Sequence, residues 1–155
     1  MTVLRKQLEV DRPLDEVFAF IGDFVNTATW DPGVAEARHV TEGPVRVGTR
    51  YELIVIFNGR RLPMTYEVTA YEPPTRVELR GTGSTVNAVD DIRFEATAAG
   101  TRIRYLVDLR LKGVLRALEP FFRGKFEETV RSGIAGMRSA IQALPGAGSP
   151  GTADA

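Results

Sequence analysis

Near the end of the chain, large apolar residues recur in steps of three and four: Leu115, Leu118, Phe122, Phe126, Val130, Ile134, Met137, Ile141 and Leu144. That spacing puts them on one stripe of an α-helix over residues 114–144. The opposite face carries Arg116, Glu119, Arg123, Glu127, Glu128, Arg131, Arg138 and Gln142, and is expected to be solvated. Such a helix would run about 45 Å. A stripe of that length needs a broad apolar partner, and only a sheet built from the preceding residues can supply one. Pro120 falls inside the run. It either kinks the helix or marks the start of its regular part, because a mid-helix proline costs about 3 kcal/mol.

The earlier pattern supplies that sheet. Residues 2–10 alternate weakly and read as a strand. Asp11-Arg12-Pro13 opens a helix with Asp11 as its N-cap and Asp15 and Glu16 at the positive end of the dipole. Val17, Phe18, Phe20 and Ile21 give the apolar face, and Gly22 ends it. Residues 23–30 form a second short helix, closed by Asp31-Pro32-Gly33. Strands follow at 34–41, 50–57, 62–71, 76–81, 85–97 and 101–111, and Asn58-Gly59 marks a tight hairpin. The order is one strand, two short helices, six strands and a long helix. This is an α+β chain whose antiparallel meander wraps around its last helix.

Period-two alternation sorts each strand into two faces. Tyr51, Leu53, Val55 and Phe57 share the inner one, as do Met64, Tyr66, Val68 and Ala70. Asp90, Ile92 and Phe94 follow, then Ile103, Tyr105, Val107 and Leu109. The concave face is therefore apolar, with polar tips at Tyr51, Tyr66, Asp90 and Tyr105. A mostly apolar surface with a few convergent polar groups suits a small-molecule site. Each tyrosine tip has a plainer alternative, a core residue whose hydroxyl meets the backbone. A buried Asp90 is costly unless paired or protonated, and a one-residue register slip would exchange it with Asp91. Trp30 is either a lid at the cavity mouth or a packing residue that pins its loop. His39 is the only histidine and reads as an inert strand residue.

Composition narrows the classes. The chain has 155 residues and equal numbers of basic and acidic side chains, 20 of each, which argues against a nucleic-acid binder that works through a basic field. It has no cysteine, which excludes disulfides, thiolate zinc sites and thiol catalysis. Residues 1–10 contain Arg5 and Lys6 and no apolar run, so no signal peptide is expected. No segment reaches the length of a membrane span. The expectation is a cytoplasmic protein with one domain over 1–144 and a disordered, Gly- and Pro-rich tail at 145–155. No phosphate-binding loop, nucleophile elbow or metal spacing is present, and no cofactor is expected.

Several stretches resemble the START-like (SRPBCC) superfamily, which has the helix-grip fold, and within it the polyketide cyclase/dehydrase and lipid-transport family. They are Trp30-Asp31-Pro32-Gly33-Val34, Val47-Gly48-Thr49-Arg50-Tyr51, and Tyr66-Glu67-Val68-Thr69-Ala70-Tyr71-Glu72-Pro73-Pro74. Asp91-Ile92-Arg93-Phe94-Glu95, Gly100-Thr101-Arg102-Ile103-Arg104-Tyr105 and Lys112-Gly113 complete the set. The resemblance spans residues 2–144. It implies a curved seven-stranded antiparallel sheet around a long C-terminal helix, with a deep cavity between them for hydrophobic molecules. Fold alone does not choose a function.

Three readings follow. The first is a carrier or sensor of a lipid- or polyketide-like molecule. Its site would comprise Trp30, Tyr51, Leu53, Val55, Met64, Tyr66, Asp90, Ile92, Tyr105, Val107, Phe122, Phe126 and Val130. The second is a cyclase or dehydratase in which Asp90 with Tyr66 or Tyr105 moves protons. The third is a dry interaction module, favoured by a void smaller than roughly 300 Å³. The expected partner is a hydrophobic small molecule. Neither nucleic acid nor stable membrane insertion is expected, and the chain is expected to be a monomer or homodimer.

Overall fold

The computed structural model describes residues 2–145. Strand β1 (Thr2–Val10) leads into helix α1 (Leu14–Ile21), a 3-10 turn (Phe24–Asn26) and the short helix α2 (Thr27–Trp30). Strands β2 (Val34–His39), β3 (Arg50–Phe57), β4 (Arg60–Glu72), β5 (Arg76–Gly83), β6 (Val86–Ala96) and β7 (Thr101–Leu111) follow. A 3-10 segment (Gly113–Leu118) then opens helix α3 (Glu119–Gln142). The sheet is seven-stranded and antiparallel in the order β1-β7-β6-β5-β4-β3-β2. β2 to β7 form the expected meander, and β1 returns to pair with β7. The expected tail lies outside the described residues from position 146 onward.

The β3–β4 hairpin turns at Asn58 and Gly59, both with positive φ (53° and 74°), as a two-residue primed turn requires. Alternation puts Tyr51, Leu53, Met64, Tyr66, Val68, Val77, Leu79, Ile92, Phe94, Ile103 and Tyr105 in the core, so the face assignment holds over most of the sheet. It fails after Val68. The register of β4 against β5 shifts between Val68 and Ala70, a bulge that adds one residue and reverses the phase. Tyr71, not Ala70, then turns inward, and its ring packs 5.5 Å from Phe18.

Three local expectations are corrected. Asp11 does not cap α1; Pro13 occupies the N-cap position, with no side-chain cap. Its carbonyl accepts from Val17 N–H at 3.0 Å, and its ring holds the extended φ that carries the chain off β1. The last helix is shorter than its stripe, because Pro120 sits in the first turn of α3 and 3-10 geometry precedes it. At 24 residues α3 spans about 36 Å. That change of pitch breaks the stripe, so Leu118 is exposed while Glu119 is buried, the reverse of the expectation. Glu119 accepts from Leu111 N–H at 3.3 Å.

α3 is fastened at its far end. Arg12 donates to the carbonyls of Gln142 (2.9 Å) and Leu144, and Arg138 donates to Glu9 O at 2.8 Å. A cation on the last carbonyls suits the negative end of the helix dipole. The near end is looser, with Val114 and Phe121 largely exposed.

Candidate functional site

Between the concave face and α3 the packing leaves a cavity of about 120 Å³. The sheet contributes Leu53 and Val55 from β3, Tyr66 from β4, Asp90 from β6, and Tyr105, Val107 and Leu109 from β7. α3 contributes Thr129, Val130, Gly133 and Ile134. The segment after α1 closes it with Phe24, Thr27, Trp30, Asp31 and Val34. The lining is mostly apolar, and its polar groups include Asp31, Tyr66, Asp90 and Tyr105.

Asp90 interacts with the other three, by a hydrogen bond from Tyr105 and through its charge with Tyr66 and Asp31. It pairs with Val107 across β6 and β7, so Tyr105, two residues earlier on β7, shares its face. The Tyr105 hydroxyl donates to Asp90 Oδ2 in a short hydrogen bond. Asp90 Oδ1 has no partner among the described residues. Burial pushes the Asp90 carboxyl up to about 7, the charge of Asp31 adds to this, and the Tyr105 hydrogen bond opposes it. The same burial and the charge of Asp90 hold the Tyr66 and Tyr105 hydroxyls well above their usual range. Asp91 faces the other way and pairs with Arg76 at 3.2 Å, so Asp90 is the internal aspartate.

Tyr66 lies flat over β5 because Gly81 opposite it has no Cβ; one built there would meet the ring at 2.6 Å. Trp30 is 4% exposed and packs edge-on to Tyr105, with ring centroids 6.4 Å apart. Its Nε1–H is buried and also without a partner among the described residues. The Trp30–Pro32 loop reaches this position because α3 is notched. A Cβ on Gly136 would lie 2.0 Å from Trp30 O, and one on Gly133 would lie 3.3 Å from the Asp31 carboxylate. Asp31 Oδ1 accepts from Gly33 N–H at 2.8 Å. Burial raises its pKa, and that hydrogen bond lowers it.

Of the expected ligand residues, Trp30, Leu53, Val55, Tyr66, Asp90, Tyr105, Val107 and Val130 form the wall. Tyr51, Met64, Ile92, Phe122 and Phe126 lie off it. The Tyr51 hydroxyl donates to Asp23 Oδ1 at 3.0 Å, and His39 Nε2 approaches the same oxygen at 3.0 Å. With Tyr51 buried and Asp23 and His39 half-buried, the trio ties β2 and β3 to the turn after α1. Met64 fills the space above Gly83, and Ile92 is sealed in the core. Phe122 and Phe126, two turns and one turn of α3 before Val130, pack with Phe57 at 6.0 and 4.8 Å instead of lining the cavity. Sequence pattern marks Asp31 only as a turn residue. It is one, yet it also lines the cavity, and a loop residue carries no periodic signal that could reveal this.

The volume is smaller than the roughly 300 Å³ at which drug-sized sites begin. It suits a ring-sized molecule; an engineered apolar cavity of ~150 Å³ in another protein takes benzene. Among the described residues no three His, Cys, Asp or Glu side chains are grouped to hold a metal ion.

A family model described as "Polyketide cyclase / dehydrase and lipid transport" matches residues 1–142. No curated protein sequence matches the chain. Among solved structures, a START superfamily protein from Mycobacterium smegmatis superposes with TM-score 0.77 at 13% identity, covering 92% of this chain and 98% of that one. A Thermus thermophilus protein gives 0.77 at 16% identity, covering 91% and 97%. The Zhui aromatase/cyclase from a Streptomyces species gives 0.72 at 17% identity, covering 90% of each chain. At these identities the likeness is one of fold.

Proposed function

The chain belongs to the polyketide cyclase/dehydrase and lipid-transport family, and on that premise we propose that it binds or carries a hydrophobic small molecule between the sheet and α3. Volume alone would favour a dry core. The chemistry of the wall supports the ligand reading instead. A core closed only for packing does not leave an indole N–H and a carboxylate oxygen unmet on two residues that line a void, because an unmet buried polar group costs about 1–3 kcal/mol. The protein acts as a cytoplasmic monomer or homodimer that needs neither cofactor nor nucleic acid. No helix among the described residues is long and apolar enough to cross a membrane.

Toluene is a suitable first probe. Titration into isotopically labelled protein is expected to shift the methyl signals of Leu53, Val55, Val107 and Val130, and Ile134→Phe, which fills the space, is expected to abolish the shifts. Unmoved methyl signals in the wild type would sink the reading.

One observation favours a second reading, an enzyme of the cyclase or dehydratase type. Asp90, brought to about 7 and joined to Tyr105, can exchange a proton near neutrality. Asp90 would accept or return the proton, and Tyr66 or Tyr105 would polarise a substrate oxygen. A structural neighbour described as an aromatase/cyclase makes such a substrate worth testing. In this reading Asp90→Asn removes turnover and keeps binding; a variant that turns over at the normal rate excludes it.

A further inference from the structure

Two residues of the cavity wall, Trp30 and Asp90, each carry a buried polar atom that is unpartnered among the described residues, and the two atoms are complementary. Trp30 Nε1–H can only donate, and Asp90 Oδ1, as a carboxylate oxygen, can accept. Both side chains are buried, at 4% and 6% exposure. Both flank Tyr105, whose ring packs against Trp30 and whose hydroxyl holds the other Asp90 oxygen. The Tyr66 hydroxyl, on the same wall, makes no hydrogen bond among the described residues.

We propose that the ligand is a neutral ring compound bearing a hydroxyl group, a phenol or cyclic alcohol, whose hydroxyl accepts from Trp30 and donates to Asp90. This rests on the small-molecule reading above and narrows it. A hydroxyl is the simplest group that does both jobs at once. A carbonyl only accepts and leaves the Asp90 oxygen unmet. A carboxylate would face both Asp90 and Asp31 inside an apolar enclosure, which like-charge repulsion and desolvation forbid. An amine would meet Asp90 well but would set a donor against the Trp30 N–H. The volume of about 120 Å³ limits the ligand to a single small ring.

The test is a matched series on the wild-type protein at alkaline pH, where Asp90 is ionised: toluene, p-cresol, 4-methylacetophenone and 4-methylbenzoate, each followed by calorimetry and by the cavity methyl signals. p-Cresol is expected to bind at least about tenfold more tightly than toluene, the worth of two modest hydrogen bonds. The ketone is expected near toluene, and the benzoate is not expected to bind. Trp30→Phe keeps a ring and removes the donor, so the cresol preference is expected to fall to within about threefold of toluene. Equal affinity for toluene and p-cresol, or tighter binding of the ketone, overturns the hydroxyl assignment while the apolar cavity stands. Failure of every probe overturns the cavity reading itself. The wild-type series decides even if the variant folds poorly.

Discussion

Tyr105 opposes burial in setting the state of Asp90, since its hydroxyl is the one hydrogen-bond partner of that carboxylate among the described residues. Tyr105→Phe is expected to cost about 2 kcal/mol in urea unfolding, the worth of a hydrogen bond to a charged group. It also raises the Asp90 pKa further, which carboxyl-carbon NMR titration would show; an unmoved titration would mean that the hydrogen bond does not form in solution. Alternation alone leaves Asp90 and Asp91 exchangeable by a one-residue slip, and the bulge-free pairing of β6 from Val86 to Ala96 is what puts Asp90 inside. Tyr51 illustrates a second limit. Its side chain points inward as alternation requires, but Asp23, on a turn, captures the hydroxyl away from the cavity. Alternation gives the direction of a side chain and is silent on the loop residue that meets it.

The elements themselves are legible where turns announce them. Asn58-Gly59 and Pro120 place a hairpin and a helix start within a residue or two. The bulge after Val68 leaves no mark in the pattern, since Thr69, Ala70 and Tyr71 are all acceptable strand residues on either face. The glycines of α3 are equally silent, because a helix's packing against a distant loop is invisible in its own periodicity. They separate sharply in the structure. Gly136→Ala would drive a methyl into Trp30 O at 2.0 Å and Pro32 Cδ at 3.0 Å. It is expected to lower stability by about 2–3 kcal/mol, the range for overpacking a tight contact. Gly124→Ala, on the same helix with nothing within 4 Å, is expected to raise stability by about 1 kcal/mol through helix propensity. Equal melting temperatures for the pair would show that the loop does not seat on α3.

For the whole molecule, the raised Asp90 value sets a pH dependence with a definite sign. A carboxyl at about 7 in the folded chain and about 4 in the unfolded one binds more protons when folded between those limits. Stability therefore falls as pH rises through that window and levels off above it, by up to about 4 kcal/mol for this group. Asp31, shifted in the same direction, adds to the slope. The difference in unfolding free energy between wild type and Asp90→Asn, followed from about pH 5 to about pH 8, is expected to carry this slope; a flat difference would mean that Asp90 titrates normally. The overall grip of sheet on helix is legible in the sequence because it rests on long periodic segments. The cavity's size is not, since it depends on how far a helix of 24 residues, notched at Gly133 and Gly136, lets a loop descend. The residue that loop delivers is the only tryptophan in the chain. Its indole is buried against the cavity, so the protein carries a single native indole fluorophore at the place where a ligand would arrive. Its ultraviolet emission should be blue-shifted in the folded state. It should change in intensity as the cavity fills and move to the red as α3 lifts away, so occupancy and opening can be followed on the unlabelled chain.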